Sequence, residues 1–168
     1  DSPVTWRLDL DRAEYLAPLI TGIAFRGVTN GPSPDWMARR LNAIGQRPIS
    51  ALVDITNYVM FDLGRPLHAY DIDKIHGNEL IVRQAAGGEP FAALNEKTYE
   101  MEAGMITIGD AEGVDDLAGV MGGERTGVSD DTSGMFLEIA VFDPISVATT
   151  GRKLNLNSEA RYRFERGL

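Results

Sequence analysis

The stretch 134-GMFLEIAVFD-143 carries the strongest strand signal in the chain, and the rest of the sequence is best interpreted outward from it. Side chains alternate between the two faces of a strand, so Phe136, Glu138 and Ala140 share one face. If that face is buried, the Glu138 carboxylate needs a cation or a hydrogen-bond donor, because an unpaired buried charge is costly. If the face is open to water, Glu138 has no special role.

Helix signals lie on both sides of this strand in the sequence. The segment DPISVATTGRKLNL that begins at Asp143 predicts a helix capped by this aspartate, with Pro144 in the first position. The earlier segment GPSPDWMARRLNAIG predicts a helix with Ser33 as its N-cap and Gly45 as its stop.

A further helix is predicted for SALVDITNYVMFDLG, which Ser50 can cap and Gly64 can end. Its apolar residues recur at helical spacing, which indicates one buried stripe along the helix. The stripe would consist of Leu52, Ile55, Val59 and Leu63.

Strand signals are scattered among these helices. Apolar runs bounded by glycine and acidic residues predict strands at 20–29, 79–85 and 104–110, and residues 92–101 predict a turn between two short strands. The pattern has too many strands for a helical bundle and no regular βαβ alternation. We therefore expect an α+β fold in which mixed or antiparallel sheets are flanked by helices.

Composition excludes several classes of site. The chain has 168 residues, no cysteine and a net charge of −9, so disulfides and cysteine–metal sites are excluded and broad binding to a nucleic-acid backbone is disfavoured. Residues 151–168 carry a net charge of +3, which suits contact with RNA or an acidic neighbouring domain, or a solvated helix face. Without a membrane-like run or signal peptide, the chain fits the cytoplasm, and both of its ends look cut from a longer protein.

The common catalytic motifs are missing. The two histidines, His68 and His76, lack the HExxH spacing of zinc hydrolases, so we expect no metal site. The serine hydrolase elbow, the P-loop and the GxGxxG motif are absent too. The glycine-rich run GVMGGERTG allows backbone to approach either a ligand or another strand. His68 follows a Gly-Arg-Pro break and, together with Glu138, indicates a candidate polar pocket, although a lone histidine is more often structural.

Several segments together resemble one known family. They are RPISALVDITNYVMFDLGRPLHAYDIDKI, VRQAAGGE, AGVMGGERTGV, FLEIAVFDPISV and RKLNLNSEARYRFERGL. In this order they resemble the B3/B4 editing module of the bacterial phenylalanyl-tRNA synthetase β subunit, over residues 34–168. The resemblance implies that residues 1–168 form one B3/B4 tRNA-editing module of a longer β subunit.

The resemblance implies an activity that corrects errors in tRNA charging. The family's module hydrolyses tyrosine wrongly esterified to phenylalanine tRNA, and the whole enzyme is a class II, ATP-dependent ligase. ATP and Mg²⁺ are expected for the whole synthetase and no cofactor for this segment, because the aminoacylation site lies on the α subunit. The expected partners are the mischarged 3′ end of phenylalanine tRNA, the α subunit and a second β subunit in an α2β2 heterotetramer, with no membrane.

The resemblance also implies which residues form the editing pocket. Glu138 would accept a hydrogen bond from the tyrosine hydroxyl, His68 would place or activate a water, and backbone N–H groups at residues 118–119 would hold the ester carbonyl. Position 158 is serine here and threonine in the family's version, which keeps the hydroxyl but loses a methyl group. The catalytic positions are Thr56, Asn57 and His68, and the substrate-binding positions are Arg47, Ala118, Gly119, Glu138, Ser158 and Ala160.

Two other functions fit the same segments. A non-catalytic module could dock tRNA or pack between domains of the same synthetase, and a free-standing relative could bind an amino acid or clear mischarged tRNA in trans. The joint presence of Asn57, His68 and Glu138 favours editing over the non-catalytic module. Chain ends that look cut from a longer protein disfavour the free-standing relative.

Overall fold

The computed structural model describes residues 2–168, which fold into ten strands and five α-helices. Two short 3-10 turns, Ile72–Lys74 and His76–Asn78, follow the third strand. The strands are β1 (Thr5–Asp9), β2 (Leu19–Arg26), β3 (Leu67–Asp71), β4 (Glu79–Gln84), β5 (Glu89–Ala92), β6 (Thr98–Met101), β7 (Ile106–Asp110), β8 (Gly113–Leu117), β9 (Met121–Gly122) and β10 (Gly134–Val141). The helices are α1 (Ala13–Leu16), α2 (Asp35–Ala43), α3 (Ala51–Leu63), α4 (Pro144–Lys153) and α5 (Glu159–Phe164).

The strands form three sheets. β10 is the middle strand of a three-stranded sheet and runs antiparallel to β2 on one side and β3 on the other. A five-stranded sheet has the order β1-β4-β7-β8-β9, in which β1 is parallel to β4 and the other pairs are antiparallel. β5 and β6 form a separate hairpin. Mixed and antiparallel sheets with flanking helices confirm the α+β prediction.

One apolar core joins the two larger sheets. The face of β10 that was predicted to be shared by Phe136, Glu138 and Ala140 is buried, and Phe136 and Ala140 belong to this core. Strands of the five-stranded sheet supply Leu80 and Ile108 to the same core. Because both sheets contribute, a polar group on the buried face of β10 is enclosed between them.

The predicted helices are present, with two corrections. Ser33 is not the N-cap of α2: Pro34 holds that position, and the Ser33 hydroxyl donates a hydrogen bond to the Asp54 carboxylate instead. The predicted stripe of α3 is also wrong, because Ile55 and Leu63 are 37% and 72% exposed.

The buried row of α3 is instead Leu52, Thr56 and Met60, which are spaced by four residues. Asp54 is buried as well, and its carboxylate is satisfied there by hydrogen bonds from the Ile49 N–H at 2.9 Å and from the Ser33 hydroxyl. These polar contacts fix a helix rotation that the count of apolar residues alone does not favour.

The predicted strands are found as β2, β4 and β7. The turn predicted within residues 92–101 is found between β5 and β6, but β5 begins at Glu89, before the predicted segment. β2 ends three residues earlier than predicted, at Arg26, where Gly27 adopts a φ of +67°. The sequence did not indicate β1, β3, β8 or β9. Within residues 2–168 no helix has both the length and the apolarity needed to cross a bilayer.

The predicted cap of α4 is present and gives a test of helix stability. The Asp143 carboxylate accepts hydrogen bonds from the Ser146 N–H and hydroxyl, both at 2.8 Å. We expect Asp143→Ala to lower the free energy of unfolding by about 1 kcal/mol, measured by urea denaturation. Ser50→Ala is the comparison, because Ser50 occupies the N-cap of α3 without making a capping hydrogen bond, and its hydroxyl accepts only a long hydrogen bond from Asn30 at 3.3 Å. Equal losses in the two variants would contradict the capping role of Asp143.

Candidate functional site

Strand register brings His68 and Glu138 together. In the antiparallel pair of β3 and β10, Glu138 lies directly opposite His68, and side chains of such a pair project from the same face. Tyr70 lies two residues after His68 on β3 and therefore shares that face. The buried face of the three-stranded sheet thus presents a carboxyl, an imidazole and a phenol side by side.

The five-stranded sheet adds a second carboxyl from the opposite side. The Tyr70 hydroxyl lies 2.7 Å from Glu138 Oε2 and 3.3 Å from Asp116 Oδ2, and all three groups are buried. Asp116 Oδ2 also lies 3.6 Å from Nε2 of His68. We call His68, Tyr70, Asp116 and Glu138 the acid cluster.

A glycine makes room for the imidazole. Gly122 pairs with Asp116 across β8 and β9, and a Cβ atom at this position would lie 2.3 Å from Cε1 of His68. On its other side the imidazole meets the Tyr70 ring edge to face, with 4.4 Å between ring centroids. The His68 Nε2 atom is buried and has no hydrogen-bond partner among residues 2–168.

Burial sets the protonation of the acid cluster. It lowers the pKa of His68 from 6.5 to about 4, so the imidazole is neutral at neutral pH. It raises the pKa of Glu138 to about 7, an effect that the hydrogen bond from Tyr70 opposes. Burial, and after it the charge of Glu138, raises the pKa of Asp116 well above its ordinary value. The same two causes raise the pKa of Tyr70, which keeps its phenol protonated.

The acid cluster forms one end of a small cavity of about 60 Å³. His68, Asp116 and Glu138 supply its polar lining. The remaining lining is mostly apolar or backbone and comes from Pro66, Leu67, Gly119, Val120, Met121, Gly122, Phe142, Ala160 and Phe164. A cavity of this size accommodates a few water molecules.

Four of the nine predicted site residues line this cavity. They are His68, Gly119, Glu138 and Ala160. Two more lie beside it: the Ala118 N–H donates to the Ile106 carbonyl at 3.1 Å, and Ser158 is the N-cap of α5. The Ser158 hydroxyl donates to the Val120 carbonyl at 2.5 Å, which connects α5 to the glycine-rich turn formed by the run at residues 119–127.

The other three predicted site residues lie away from the cavity lining. Thr56 is buried in α3, and its hydroxyl donates to the Val53 carbonyl at 2.7 Å. Asn57 is half-buried on the same helix, which packs against β3, the strand that carries His68. Arg47 is exposed just before that helix. The structure therefore groups these three around α3 and the other six around the cavity.

Sequence reasoning missed Tyr70, Asp116 and Gly122. The alternation in 67-LHAYD-71 places Tyr70 on the face of His68, but that segment was not recognised as a strand. The acidic pair in 113-GVDDL-117 lies between apolar residues, and period two sends its members to opposite faces. Asp115 pairs with Arg125 at 2.7 Å, which leaves Asp116 facing the cavity.

The basic tail, residues 151–168, forms mostly local contacts. Arg161 pairs with Glu165 at 3.0 Å and Arg163 pairs with Glu159 at 2.7 Å, each across one helical turn of α5. The Arg163 guanidinium also lies over the ring of Phe61, 4.8 Å from its centroid. Among residues 2–168 no cluster of three or more histidine and acidic side chains is arranged to hold a metal ion.

The position of Gly122 against His68 yields a prediction. We expect Gly122→Ala to displace the imidazole and to lower the free energy of unfolding by about 1–3 kcal/mol, because the added methyl overpacks the site. Urea denaturation measures the loss, and the NMR shifts of the His68 ring report the displacement. Gly113→Ala is the matched control, since a Cβ atom there meets nothing within 4 Å. An unchanged His68 spectrum in Gly122→Ala would contradict the close contact.

The raised pKa of Glu138 yields a second prediction. Folding raises this pKa from 4.5 to about 7, so the protonated carboxyl stabilises the fold at low pH and that stability is lost as pH rises through 7. Glu138→Gln cannot ionise and escapes this loss. Its free energy of unfolding relative to wild type should therefore increase between about pH 5 and about pH 8, by up to about 3 kcal/mol.

Urea denaturation at the two pH values measures this difference. Glu100→Gln, at an exposed position of β6, controls for the loss of a carboxylate. A relative stability of Glu138→Gln that stays constant or falls as pH rises would be incompatible with a raised pKa.

The family model described as the B3/4 domain matches residues 16–168. The chain is 52% identical to the phenylalanine–tRNA ligase beta subunit of Ruegeria pomeroyi over 168 residues, which cover all of this chain and 21% of that subunit. The beta subunit of Brucella abortus is 51% identical over 171 aligned positions, with the same coverage. The chain thus spans about a fifth of the length of the relatives it matches.

A solved structure has the same fold. It is the crystal structure of an N-terminal fragment of the phenylalanyl-tRNA synthetase beta subunit from Pyrococcus horikoshii, with a TM-score of 0.58. The match covers 92% of this chain and 50% of that fragment at 17% identity, so it supports the fold alone.

Proposed function

The chain belongs to the B3/4 domain family, and on that basis we propose that it is the editing module of a phenylalanine–tRNA ligase, in which the cavity hydrolyses tyrosine wrongly esterified to phenylalanine tRNA. In the whole ligase it would work with the α subunit and a second β subunit in the cytoplasm. ATP and Mg²⁺ would serve the aminoacylation site, which lies outside this chain.

A ligase for phenylalanine needs such a module because tyrosine differs from phenylalanine by one hydroxyl group. An apolar synthetic site rejects an added hydroxyl by only about a hundredfold. A second site can reverse the test by offering a buried polar group that only tyrosine satisfies. Phenylalanine is then excluded because its ring would leave that group desolvated and unpaired.

The main support for the proposal is one oxygen atom, Oε1 of Glu138. Glu138 Oε2 accepts the hydrogen bond of Tyr70, while no donor among residues 2–168 is bonded to Glu138 Oε1. Glu138 lies in the cavity lining, so Oε1 is available to a hydroxyl that enters. The apolar side chains of Phe142 and Phe164 border the same space and suit an aromatic ring.

Hydrolysis requires a water beside the ester and a group that stabilises the developing oxyanion. The His68 imidazole is neutral, and its Nε2 atom is unpaired, so it is suited to bind a water or to accept a proton from it. The Ala118 N–H is already bonded to Ile106, which makes the Gly119 N–H the better donor for the ester carbonyl. An aminoacyl ester is activated, so no covalent nucleophile is needed.

The remaining predicted residues would have different roles in this site. Ala160 and Ser158 would shape the entrance, since α5 forms one wall of the cavity. Thr56 and Asn57 would support β3 or meet the terminal ribose, and Arg47 would meet a phosphate of the tRNA end.

The runner-up function is a tRNA-docking module without catalysis. The basic tail suits it, but Arg161 and Arg163 are paired with glutamates of their own helix. A docking surface also gives no reason for an unpaired buried imidazole nitrogen beside two buried carboxyl groups.

Deacylation of tRNA by the whole ligase that carries this chain tests the proposal. We expect His68→Ala to slow hydrolysis of Tyr-tRNA(Phe) by about 100-fold or more, the typical value of a positioned acid–base group. We expect Glu138→Ala to reduce the preference for the tyrosyl over the phenylalanyl ester by about tenfold or more.

Two substitutions serve as controls and should change neither rate nor preference. His76→Ala removes the other histidine, which lies with Asp110 and Glu112 outside the cavity lining. Glu100→Ala removes an exposed glutamate. Wild-type ligase that leaves Tyr-tRNA(Phe) intact would refute the editing function, and a Glu138→Ala variant with full preference would refute the role of this carboxyl.

A further inference from the structure

Asp116 is a buried carboxyl that the proposed editing chemistry has not used. It extends from β8 into the cavity lining and contacts the Tyr70 hydroxyl at 3.3 Å and His68 Nε2 at 3.6 Å. Among residues 2–168 no lysine or arginine forms an ion pair with Asp116 or with Glu138. Two carboxyl groups therefore lie around one phenol without a cation to neutralise them.

The single hydroxyl hydrogen of Tyr70 limits the protonation states that Asp116 can take. Tyr70 has one hydroxyl hydrogen, and two carboxyl oxygens lie around it. The shorter distance, 2.7 Å, assigns that hydrogen to Glu138. If Asp116 were ionised, its oxygen would face the lone pairs of the Tyr70 oxygen without a hydrogen between them. A protonated Asp116 removes the conflict, because its own hydrogen can point to Tyr70.

The neighbours of Asp116 favour the same state. His68 on β3 is neutral, and the charge of Glu138 on β10 repels a second charge. Asp115, the neighbour on β8, adds a further negative charge. The helix α5 contributes only the apolar residues Ala160 and Phe164 to the cavity.

We propose that Asp116 is protonated and acts as a positioning residue of the editing site: it donates a hydrogen bond to Tyr70, which in turn donates to Glu138. Asp116 thereby fixes which way the phenol hydrogen points and holds Glu138 Oε2. The other oxygen of Glu138 stays available to the tyrosine hydroxyl. With Asp116 protonated, any negative charge of the two carboxyl groups lies on Glu138.

The inference rests on the proposed editing function, and its test separates the two. Asn in place of Asp116 keeps a hydrogen donor at every pH, whereas Ala removes it. We expect Asp116→Asn to retain deacylation of Tyr-tRNA(Phe), and Asp116→Ala to lower kcat/KM for this ester by about tenfold or more, mainly through a higher KM, and to lower the preference over the phenylalanyl ester. Wild type should lose activity at alkaline pH, after subtraction of uncatalysed hydrolysis, and Asp116→Asn should not.

Asp115→Asn is the matched control. It removes a carboxylate from the neighbouring position of β8, where the side chain pairs with Arg125 outside the cavity. We expect this variant to keep the rate of wild type at neutral pH, with its alkaline loss moved to lower pH because one of the charges that raise the pKa of Asp116 is removed.

Infrared spectra of the whole ligase give a readout that does not depend on activity. A protonated carboxyl has a carbonyl stretching band that an ionised carboxylate lacks, and the wild-type band should lose the component of Asp116 in Asp116→Asn, while a component from Glu138, whose pKa is about 7, remains. Absence of this band in wild type at neutral pH would overturn the inference, as would equal activity losses in the Asn and Ala variants. A band that is present in a ligase unable to hydrolyse Tyr-tRNA(Phe) would instead refute the proposed function and the positioning role while leaving the protonation assignment intact.

Discussion

The hydrogen bond from the Tyr70 hydroxyl to Glu138 is the interaction on which the cavity depends, because it is the direct partner of a carboxyl placed inside the core. Burying an unpaired carboxylate costs several kcal/mol, so β10 can carry Glu138 on its inner face only if a donor lies opposite. β3 supplies that donor, and the same register sets His68 beside it. The same strand register therefore satisfies the buried carboxyl of Glu138 and places the side chains of the site.

The two sheets then complete the arrangement from opposite sides. The five-stranded sheet supplies Asp116 and, paired with it, Gly122, whose missing side chain leaves space for His68. The helix α5 closes the cavity and is held to the glycine-rich turn by Ser158. A site of this kind discriminates by what it leaves unsatisfied: a ring with a hydroxyl completes Glu138, and a ring without one does not.

The sequence predicted much of this through local signals. Period two identified the buried face of β10, and turn and cap residues located α3 and α4. It did not reveal β3 or β8, since each is only five residues long and carries His68 and Tyr70, or Asp115 and Asp116, on what become buried faces. Their strand state comes from pairing with distant strands. The resemblance indicated Glu138 and His68, whereas the role of Asp116 follows only from three-dimensional distances.

The most direct test of the central claim is a binding measurement with non-hydrolysable amide analogues of the charged tRNA end, one tyrosyl and one phenylalanyl. Calorimetry on the whole ligase, with its aminoacylation site blocked by a phenylalanyl-adenylate analogue, compares the two affinities. If the unpaired oxygen of Glu138 reads the hydroxyl, the tyrosyl analogue binds about tenfold tighter or more. Equal affinities, or tighter binding of the phenylalanyl analogue, would contradict the account.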